Sequence, residues 1–232
     1  MKIGIMQPYF FPYIGYWQLM NLVDRYVIYD DVNFIKNGWI NRNNILLNGA
    51  KHLITLPLEG ASPFLPINQI KITSNQKILE KLLKTMEQAY RKAPFYNEIY
   101  PIVEETVMEQ SKNLSSALIG SFFKIREYLG MKTELIVSSE LKKQNELKGK
   151  DKIMHICSIL GGDEYINAIG GQALYDKEEF ASHGIKLNFL KTGCIEYKQY
   201  KNDFVPNLSI IDILMFNSPK EVNRMLGEYE LV

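Results

Sequence analysis

The feature of this sequence that most constrains its fold is an alternation of short apolar runs with stretches of helical periodicity. Residues 2–6 (KIGIM) are typical of a buried strand, residues 16–24 have helical spacing, and residues 25–29 (RYVIY) form a second apolar run. Strands that alternate with helices build mostly parallel sheets with both faces covered. The sequence therefore predicts an α/β fold with a mostly parallel sheet and helices on both faces.

The rest of the chain continues this pattern, with a mainly helical middle. Residues 76–91 and 97–129 have helical spacing with a break near 112–113, and the region around 75–130 is expected to be an insertion in a single α/β domain of residues 1–232. Further strands are predicted at 51–58, 67–72, 132–137, 165–167 and 185–190, and further helices at 151–160, 174–183, 209–216 and 219–226. Ser209 is expected to cap its helix, with Asp212 as the acid of a capping box.

The nearly equal numbers of basic and acidic residues bear on whether the protein binds nucleic acid. The chain has 27 basic and 26 acidic residues, which argues against general nucleic-acid binding, because that needs a basic surface to release phosphate counterions. No apolar run approaches the ~20 residues that span a bilayer, and the first residues lack the pattern of a signal peptide. We therefore expect a cytoplasmic protein with no membrane span, and a buried free thiol at Cys157, which lies in an apolar helix.

The loop after the first predicted strand is the first candidate site. Residues 7–15 (QPYFFPYIG) contain two prolines and a glycine, which exclude regular structure. Ligands of open parallel sheets bind beyond the carboxyl ends of the strands, and a helix that follows such a loop offers free amides to an anion. The candidate binding residues here are Gln7, Tyr9, Phe10, Gly15 and Tyr16. The alternative is that the aromatic side chains only close the top of the sheet.

Asp30 and Asp31 end the second predicted strand and are candidate catalytic residues. A carboxylate can hold Mg²⁺, which takes oxygen ligands and usually bridges phosphates. One of the two can instead act as the general base that removes a proton from an amine. Neighbours in a strand point to opposite faces, so the pair is not expected to share one site. A turn-forming role is the alternative.

The polar loop that follows adds Lys36, Trp39, Arg42 and Asn43. An arginine matches phosphate with two parallel hydrogen bonds, and a tryptophan can stack on a base or pack against a sugar. We assign Lys36 and Arg42 to the stabilisation of charge, and Trp39 and Asn43 to substrate binding. A surface ion pair is the alternative role for Arg42.

Two later loops provide further candidates. Ser138 and Ser139 follow a predicted strand and precede a lysine-rich segment, so that hydroxyl and ammonium groups there can neutralise phosphate charge. A helix cap with solvated lysines is the alternative. Gly170 and Gly171 follow another strand and weakly indicate a phosphate-binding loop, because a simple turn needs glycine too.

Several long strings of the sequence resemble the WbqC-like protein family. They are MQPYFFPYIGYWQL, YDDVNFIKNGWINRNNIL, HLITLPL, GGDEYINAIGGQALYDKEEFASHGIKL and FVPNLSIIDILMFNS. Together they cover most of the chain in the family's order. The family occurs in gene clusters for O-antigens and related glycans, with a glycine transferase proposed among its members. The resemblance thus implies glycyl or other acyl transfer onto the amine of a nucleotide-linked amino sugar.

A second likeness concerns the opening of the chain. A strand, an aromatic loop with proline and glycine, and a helix are similar to the start of nucleotidylyltransferase-like ATP enzymes. Phe10, Pro12 and Gly15 echo that pattern, but Tyr13 and Tyr16 stand roughly where those enzymes carry phosphate-binding histidines. This likeness implies ATP as a cofactor, and Asp30 or Asp31 would then hold Mg²⁺ or accept the amine proton.

Three functions therefore stay open from the sequence. The leading one joins an amino acid, with glycine expected, to a nucleotide-linked amino sugar. The others are a different sugar-modifying or nucleotidyl transferase, and a non-catalytic sugar-nucleotide binding or scaffold protein. All of them need residues 7–16 and 30–43 to face one cleft at the sheet edge, and the aromatic content permits a homodimer.

Overall fold

The computed structural model describes residues 1–201 and 203–232. The strands in chain order are β1 Lys2–Met6, β2 Arg25–Ile28, β3 Arg42–Leu47, β4 Ala50–Thr55, β5 Leu58–Glu59, β6 Lys71–Ile72, β7 Glu134–Val137, β8 Glu164–Ala168, β9 Lys186–Thr192 and β10 Tyr229–Leu231. The α-helices are α1 Ile14–Leu22, α2 Gln76–Tyr90, α3 Tyr96–Val107, α4 Leu114–Tyr128, α5 Gly149–Ile159, α6 Lys177–Ser182, α7 Ile210–Phe216 and α8 Pro219–Leu226.

Six strands form the central sheet, in the order β10-β9-β8-β1-β2-β7. All neighbours are parallel except β10, which pairs antiparallel with β9. In chain order, β2 and then β7 are added on one side of β1, and β8 pairs with the other side of β1. Ligands of such sheets bind outside the carboxyl ends of the strands at this reversal, here between β1 and β8. The α/β fold with a mostly parallel sheet is confirmed.

Both faces of the sheet are covered. Alternate residues along a strand point to opposite sides, so each face packs against its own set of helices. Ile3 and Ile5 of β1 pack in one cluster with residues of α5 and α6, including Ile156 and Phe180. The larger cluster on the other face contains Trp17 of α1, together with residues of α4, α7 and α8. Cys157 is buried in the first cluster, as predicted, and burial raises the pKa of its thiol to about 12.

The helical middle agrees with the sequence-based expectation. It consists of α2, α3 and α4, and the break between the last two falls at Lys112, whose φ is +53°. Asn113 caps α4 by accepting a hydrogen bond from the Ser116 amide at 3.0 Å. Among the described residues, no helix is both long enough and apolar enough to cross a membrane.

Four local predictions were wrong, and one strand was missed. Residues 67–72 are a 3₁₀ turn followed by the two-residue strand β6, and residues 51–58 divide into β4 and β5. The helix predicted at 174–183 begins only at Lys177, because a 3₁₀ turn occupies Ile169–Leu174. Strand β10 was not predicted. Ser209 does cap α7, but the Asp212 carboxylate makes no capping box and instead accepts side-chain hydrogen bonds in the interior.

Candidate functional site

The loop after β1 is held by hydrogen bonds to its backbone. The Asn43 side-chain amide donates to the carbonyl oxygens of Phe10 at 3.1 Å and Phe11 at 2.7 Å. The Ser209 hydroxyl also donates to the Phe11 carbonyl, at 2.8 Å. Phe11 has a φ of +46°, which is uncommon outside glycine and costs conformational energy. These three donated bonds fix the loop in that conformation.

An open cleft lies beside this loop and is here called the aromatic cleft. Its volume is about 260 Å³, and its lining residues are Tyr9, Pro12, Tyr13, Trp39, Asn43 and Asn207. Tyr13 and Trp39 are 38% and 46% exposed, so both rings are available to a ligand. Arg42 stands behind Trp39, with its guanidinium carbon 5.9 Å from the ring centroid, and donates to the carbonyls of Gly38 and Asn37. Arg42 thus supports the turn that presents Trp39.

A larger cavity adjoins the aromatic cleft and shares Tyr13 and Asn207 with it; it is called the β9 cavity. Its volume is about 520 Å³, and it lies between the start of α1 and the segment that follows β9. Its lining residues are Tyr13, Ile14, Thr192, Gly193, Cys194, Ile195, Glu196, Tyr197, Phe204, Pro206, Asn207, Leu208 and Ile213. The first turn of α1 has no side-chain cap, so its amide groups add positive potential to this wall.

Gly15 sets the distance between α1 and the end of β9. A Cβ atom at this position would lie 2.5 and 2.7 Å from two ring atoms of Tyr13, and closer still to the Thr192 hydroxyl. Burial raises the pKa of Tyr13, while its hydrogen bond with Thr192 acts in the opposite direction. Only glycine lets these two side chains meet over the start of the helix.

A buried carboxylate lies behind the β9 cavity. Asp212 is fully buried and accepts hydrogen bonds from the hydroxyls of Tyr197 at 2.6 Å and Tyr90 at 2.8 Å. The Gln199 amide adds a third, at 2.8 Å. Burial raises the pKa of Asp212, and the three donors only partly counter that effect. Tyr197 belongs both to this network and to the cavity lining.

Asp31 is the centre of a second polar group, here called the Asp31 cluster. Its carboxylate accepts from the Ser138 hydroxyl at 2.7 Å, and the ammonium groups of Lys143 and Lys152 lie 2.9 and 3.2 Å from its Oδ2. Burial acts to raise the pKa of Asp31, but Ser138 and the two ammonium groups outweigh it and hold the pKa below its usual value. Both lysine side chains are buried, with 1% and 9% exposed.

Asp30 lies just beyond the end of β2, as Asp31 does, and it bonds to a different set of groups. It is 2% exposed, and it accepts from the Ser139 amide at 2.9 Å and from the Ser139 hydroxyl at 2.7 Å. The Ser115 hydroxyl adds a longer bond of 3.3 Å. The two carboxylates therefore do not fit a Mg²⁺ site: the donors already use the oxygens of Asp30, and two ammonium groups would repel a cation at Asp31.

The structure divides the residues named from the sequence into three sets. Those that line the aromatic cleft are Tyr9, Trp39 and Asn43. Those in the Asp31 cluster or bonded to Asp30 are Asp30, Asp31, Ser138 and Ser139. The remainder support the loops or lie elsewhere on the surface: Gln7, Phe10, Gly15, Tyr16, Lys36, Arg42, Gly170 and Gly171. Residues 7–16 and 39–43 thus meet at one cleft, whereas 30–31 face β7 and the loop after it.

Several residues of the third set have structural roles in the loops. Tyr16 is buried and donates its hydroxyl to the Gln7 carbonyl at 2.7 Å, and Phe10 is fully buried. Gly171 leaves room for the Asn167 side chain, whose amide nitrogen would lie 2.6 Å from an added Cβ. Lys36 is exposed.

Sequence reasoning missed several residues of the site. The sequence predicts a capping role for Asp212 and assigns neither Tyr197 nor Thr192 to a site. Lys143 and Lys152 were included only in a general lysine-rich run. Thr192 could have been recognised, because it ends a parallel strand at the carboxyl edge of the sheet. No local signal identifies Tyr197, because its partner Asp212 is brought to it by tertiary packing.

Comparison with known proteins gives a family but no assigned activity. The family model described as the WbqC-like protein family matches residues 7–224. A protein of Mycobacterium tuberculosis (strain H37Rv), described as uncharacterized, is 28% identical over 226 residues, which cover 92% of each chain. No solved structure matches this chain.

Proposed function

The chain belongs to the WbqC-like protein family, and from this premise we propose that it is a transferase that forms an amide on the amine of a nucleotide-linked amino sugar. The group transferred is an acyl group, and we propose an aminoacyl group such as glycyl. The reaction belongs to the assembly of O-antigen or a related surface polysaccharide.

The observation that carries this proposal is the aromatic cleft and its continuity with the β9 cavity through Tyr13 and Asn207. A nucleotide sugar has a flat base, an anionic diphosphate and a polar sugar. Exposed aromatic rings suit the base, because stacking on a ring is tolerant of base identity. The uncapped start of α1, beside the hydroxyls of Tyr13 and Thr192, suits the diphosphate. The remaining β9 cavity has room for the sugar and the acyl donor.

Activation of the amino acid by ATP is part of the proposal, and Mg²⁺ is not assigned to Asp30 or Asp31. The triphosphate would compete for the same start of α1, where no acidic side chain lies in the first turn. An ester-linked or carrier-bound acyl donor would need no ATP, and the two routes differ in whether nucleotide is consumed.

The test is a product assay with purified protein. The protein is incubated with glycine, ATP and a panel of UDP- and dTDP-linked amino sugars, and mass spectrometry follows the appearance of a glycyl adduct. The matched N-acetylated nucleotide sugars are the control, because they lack the free amine. Release of AMP or ADP, measured in parallel, identifies the activation step.

The alternatives give different outcomes. Release of pyrophosphate with a new nucleotide–sugar bond would indicate a nucleotidyl transferase. Binding of nucleotide sugars without product from glycine, other amino acids or acyl donors would indicate a binding or scaffold protein, and the transferase proposal would then be wrong.

A further inference from the structure

We propose that Tyr197, backed by the buried carboxylate of Asp212, receives the amine of the acceptor sugar and takes its proton. This inference deepens the proposed function and rests on it for the identity of the amine. It makes Tyr197 the catalytic residue at the β9 cavity and Asp212 a positioning residue that acts through it.

The first argument is the hydrogen-bond balance of Tyr197. Its hydroxyl donates its proton to Asp212 Oδ2 at 2.6 Å. The Gln199 amide has two protons, which go to Asp212 at 2.8 Å and the Val205 carbonyl at 3.1 Å, so the phenol oxygen 3.3 Å away accepts at most one long, shared bond from it. A hydroxyl oxygen has two lone pairs, so one acceptor position is left. A group bound in the cavity can fill that position only by donating a proton, as an amine or ammonium does.

The second argument is the unbalanced charge of Asp212. Within residues 1–201 and 203–232, the ion pairs found do not include Asp212, and its three donors are the neutral groups of Tyr90, Tyr197 and Gln199. A buried carboxylate without a cation is costly and is normally paired. The negative charge behind Tyr197 therefore favours a cationic ligand at the wall of the cavity. Buried ionisable groups with a shifted pKa, such as Asp212, are concentrated at functional sites.

The third argument is the rigidity of the network. Gln199 is buried, and besides Asp212 its amide donates to the Val205 carbonyl at 3.1 Å, while its oxygen accepts from the Val205 amide at 2.8 Å. Tyr90 is anchored by the Leu46 amide, which donates to its hydroxyl at 3.1 Å. Asp212 thus has no freedom to turn away from Tyr197.

The chemical step follows from this arrangement. The bound ammonium first gives one proton to the Tyr197 oxygen while the Tyr197 proton passes to Asp212 Oδ2, which leaves a neutral amine. The amine nitrogen then attacks the carbonyl carbon of an activated acyl donor, an ester or an acyl phosphate, and the N–C bond forms. The bond from that carbon to the leaving oxygen breaks, and the leaving oxygen keeps the electron pair and takes the second amine proton. Burial of Asp212 favours its protonated product state.

The binding test uses UDP-glucosamine and UDP-N-acetylglucosamine as probes in calorimetric titrations. We expect the free amine to bind about tenfold more tightly than the acetylated form, because it donates a charge-assisted hydrogen bond. Tyr197→Phe should bring the two affinities together. Tyr200→Phe is the matched control, because its hydroxyl bonds to the Ala89 carbonyl at 2.8 Å and is outside the cavity lining. Equal affinities in the wild type, or a preference that survives Tyr197→Phe, would overturn the inference.

The kinetic test separates this inference from the proposed function. With the donor and acceptor that give product, Tyr197→Phe should lower kcat by about a hundredfold or more, and the KM for the acceptor should rise by no more than the roughly tenfold affinity lost in the binding test. Asp212→Asn should remove the acidic limb of the pH–rate profile, and Tyr200→Phe should preserve it. Product formation that is unaffected by Tyr197→Phe would leave the transferase in place and refute the role of Tyr197. An amine preference that depends on Tyr197, with no product from any donor, would refute the transferase and keep the amine site.

Discussion

Replacing Gly15 by alanine tests whether the wall between α1 and β9 is as tight as the structure indicates. The added Cβ would lie 2.5 Å from the Tyr13 ring and still closer to the Thr192 hydroxyl. Overpacking of this kind costs about 1–3 kcal/mol. The gain in helix propensity is at most about 1 kcal/mol, and it is smaller near a helix start. The net expectation for Gly15→Ala is a loss of about 1–2 kcal/mol.

Gly120 supplies the matched control. It also lies inside a helix, α4, but an added Cβ there would have no neighbour within 4 Å. Gly120→Ala should therefore gain about 1 kcal/mol and raise Tm by about 2–4 °C. Gly15→Ala should lower Tm by about 2–8 °C by the same conversion.

The Tyr13 ring can relieve part of this contact, since it is 38% exposed and can swing outward. In that case the Tm changes less, but the aromatic cleft is reshaped and nucleotide-sugar affinity falls. Differential scanning calorimetry and titration with UDP-sugars are thus measured on the same three proteins. An increase in Tm for Gly15→Ala equal to that for Gly120→Ala, with unchanged affinity, would refute the reasoning.

The remaining predictions concern the cleft and the Asp31 cluster. Trp39→Ala should change the free energy of unfolding by less than about 0.5 kcal/mol, but weaken UDP-sugar binding by about 1–3 kcal/mol; tight binding by this variant would contradict a stacking role. Asn43→Ala should cost about 1–3 kcal/mol in chemical denaturation, because the buried Phe10 carbonyl loses its side-chain donor and the Phe11 carbonyl keeps only the Ser209 hydroxyl; Asn41→Ala, which removes one half-buried bond to the Leu56 carbonyl, is the comparison. Asp31 has a pKa below the usual 3.8, so its stabilisation is present above that pH and is lost as pH falls through the folded-state pKa. The pH dependence of unfolding should flatten in Asp31→Asn, and an unchanged curve would show that the cluster contributes nothing.

The sheet could be predicted from the sequence because its signals are local. Residues 2–6 and 25–29 are short apolar runs with a helical stretch between them, and that order alone favours parallel pairing. Strand β10 was missed because Tyr229–Leu231 is short and mostly exposed, and its pairing with β9 depends on the turn that α8 makes before it. The break before α4 was visible because Lys112 and Asn113 are polar residues between two apolar patterns.

The candidate site was only partly predictable for a related reason. Positions that follow strands or lie in aromatic loops can be recognised as candidate sites from the sequence, and this applies to Tyr9, Trp39 and Asn43. Asp212 has the spacing of a capping acid after Ser209, so local chemistry gave a plausible but incorrect role. Its true partners, Tyr90 and Tyr197, come from other parts of the chain, and only tertiary packing shows that the carboxylate is buried.

The bonds that hold Phe11 have a consequence for how the protein matures during synthesis. Phe11 leaves the ribosome before Asn43, and Ser209 emerges much later than both, because it lies far along the chain. A nascent chain can therefore build β1 and α1 early, yet its loop lacks the Ser209 hydroxyl donor until the start of α7 emerges. Ligand capture by stalled chains of increasing length should accordingly begin abruptly, once residues beyond Ser209 have cleared the exit tunnel.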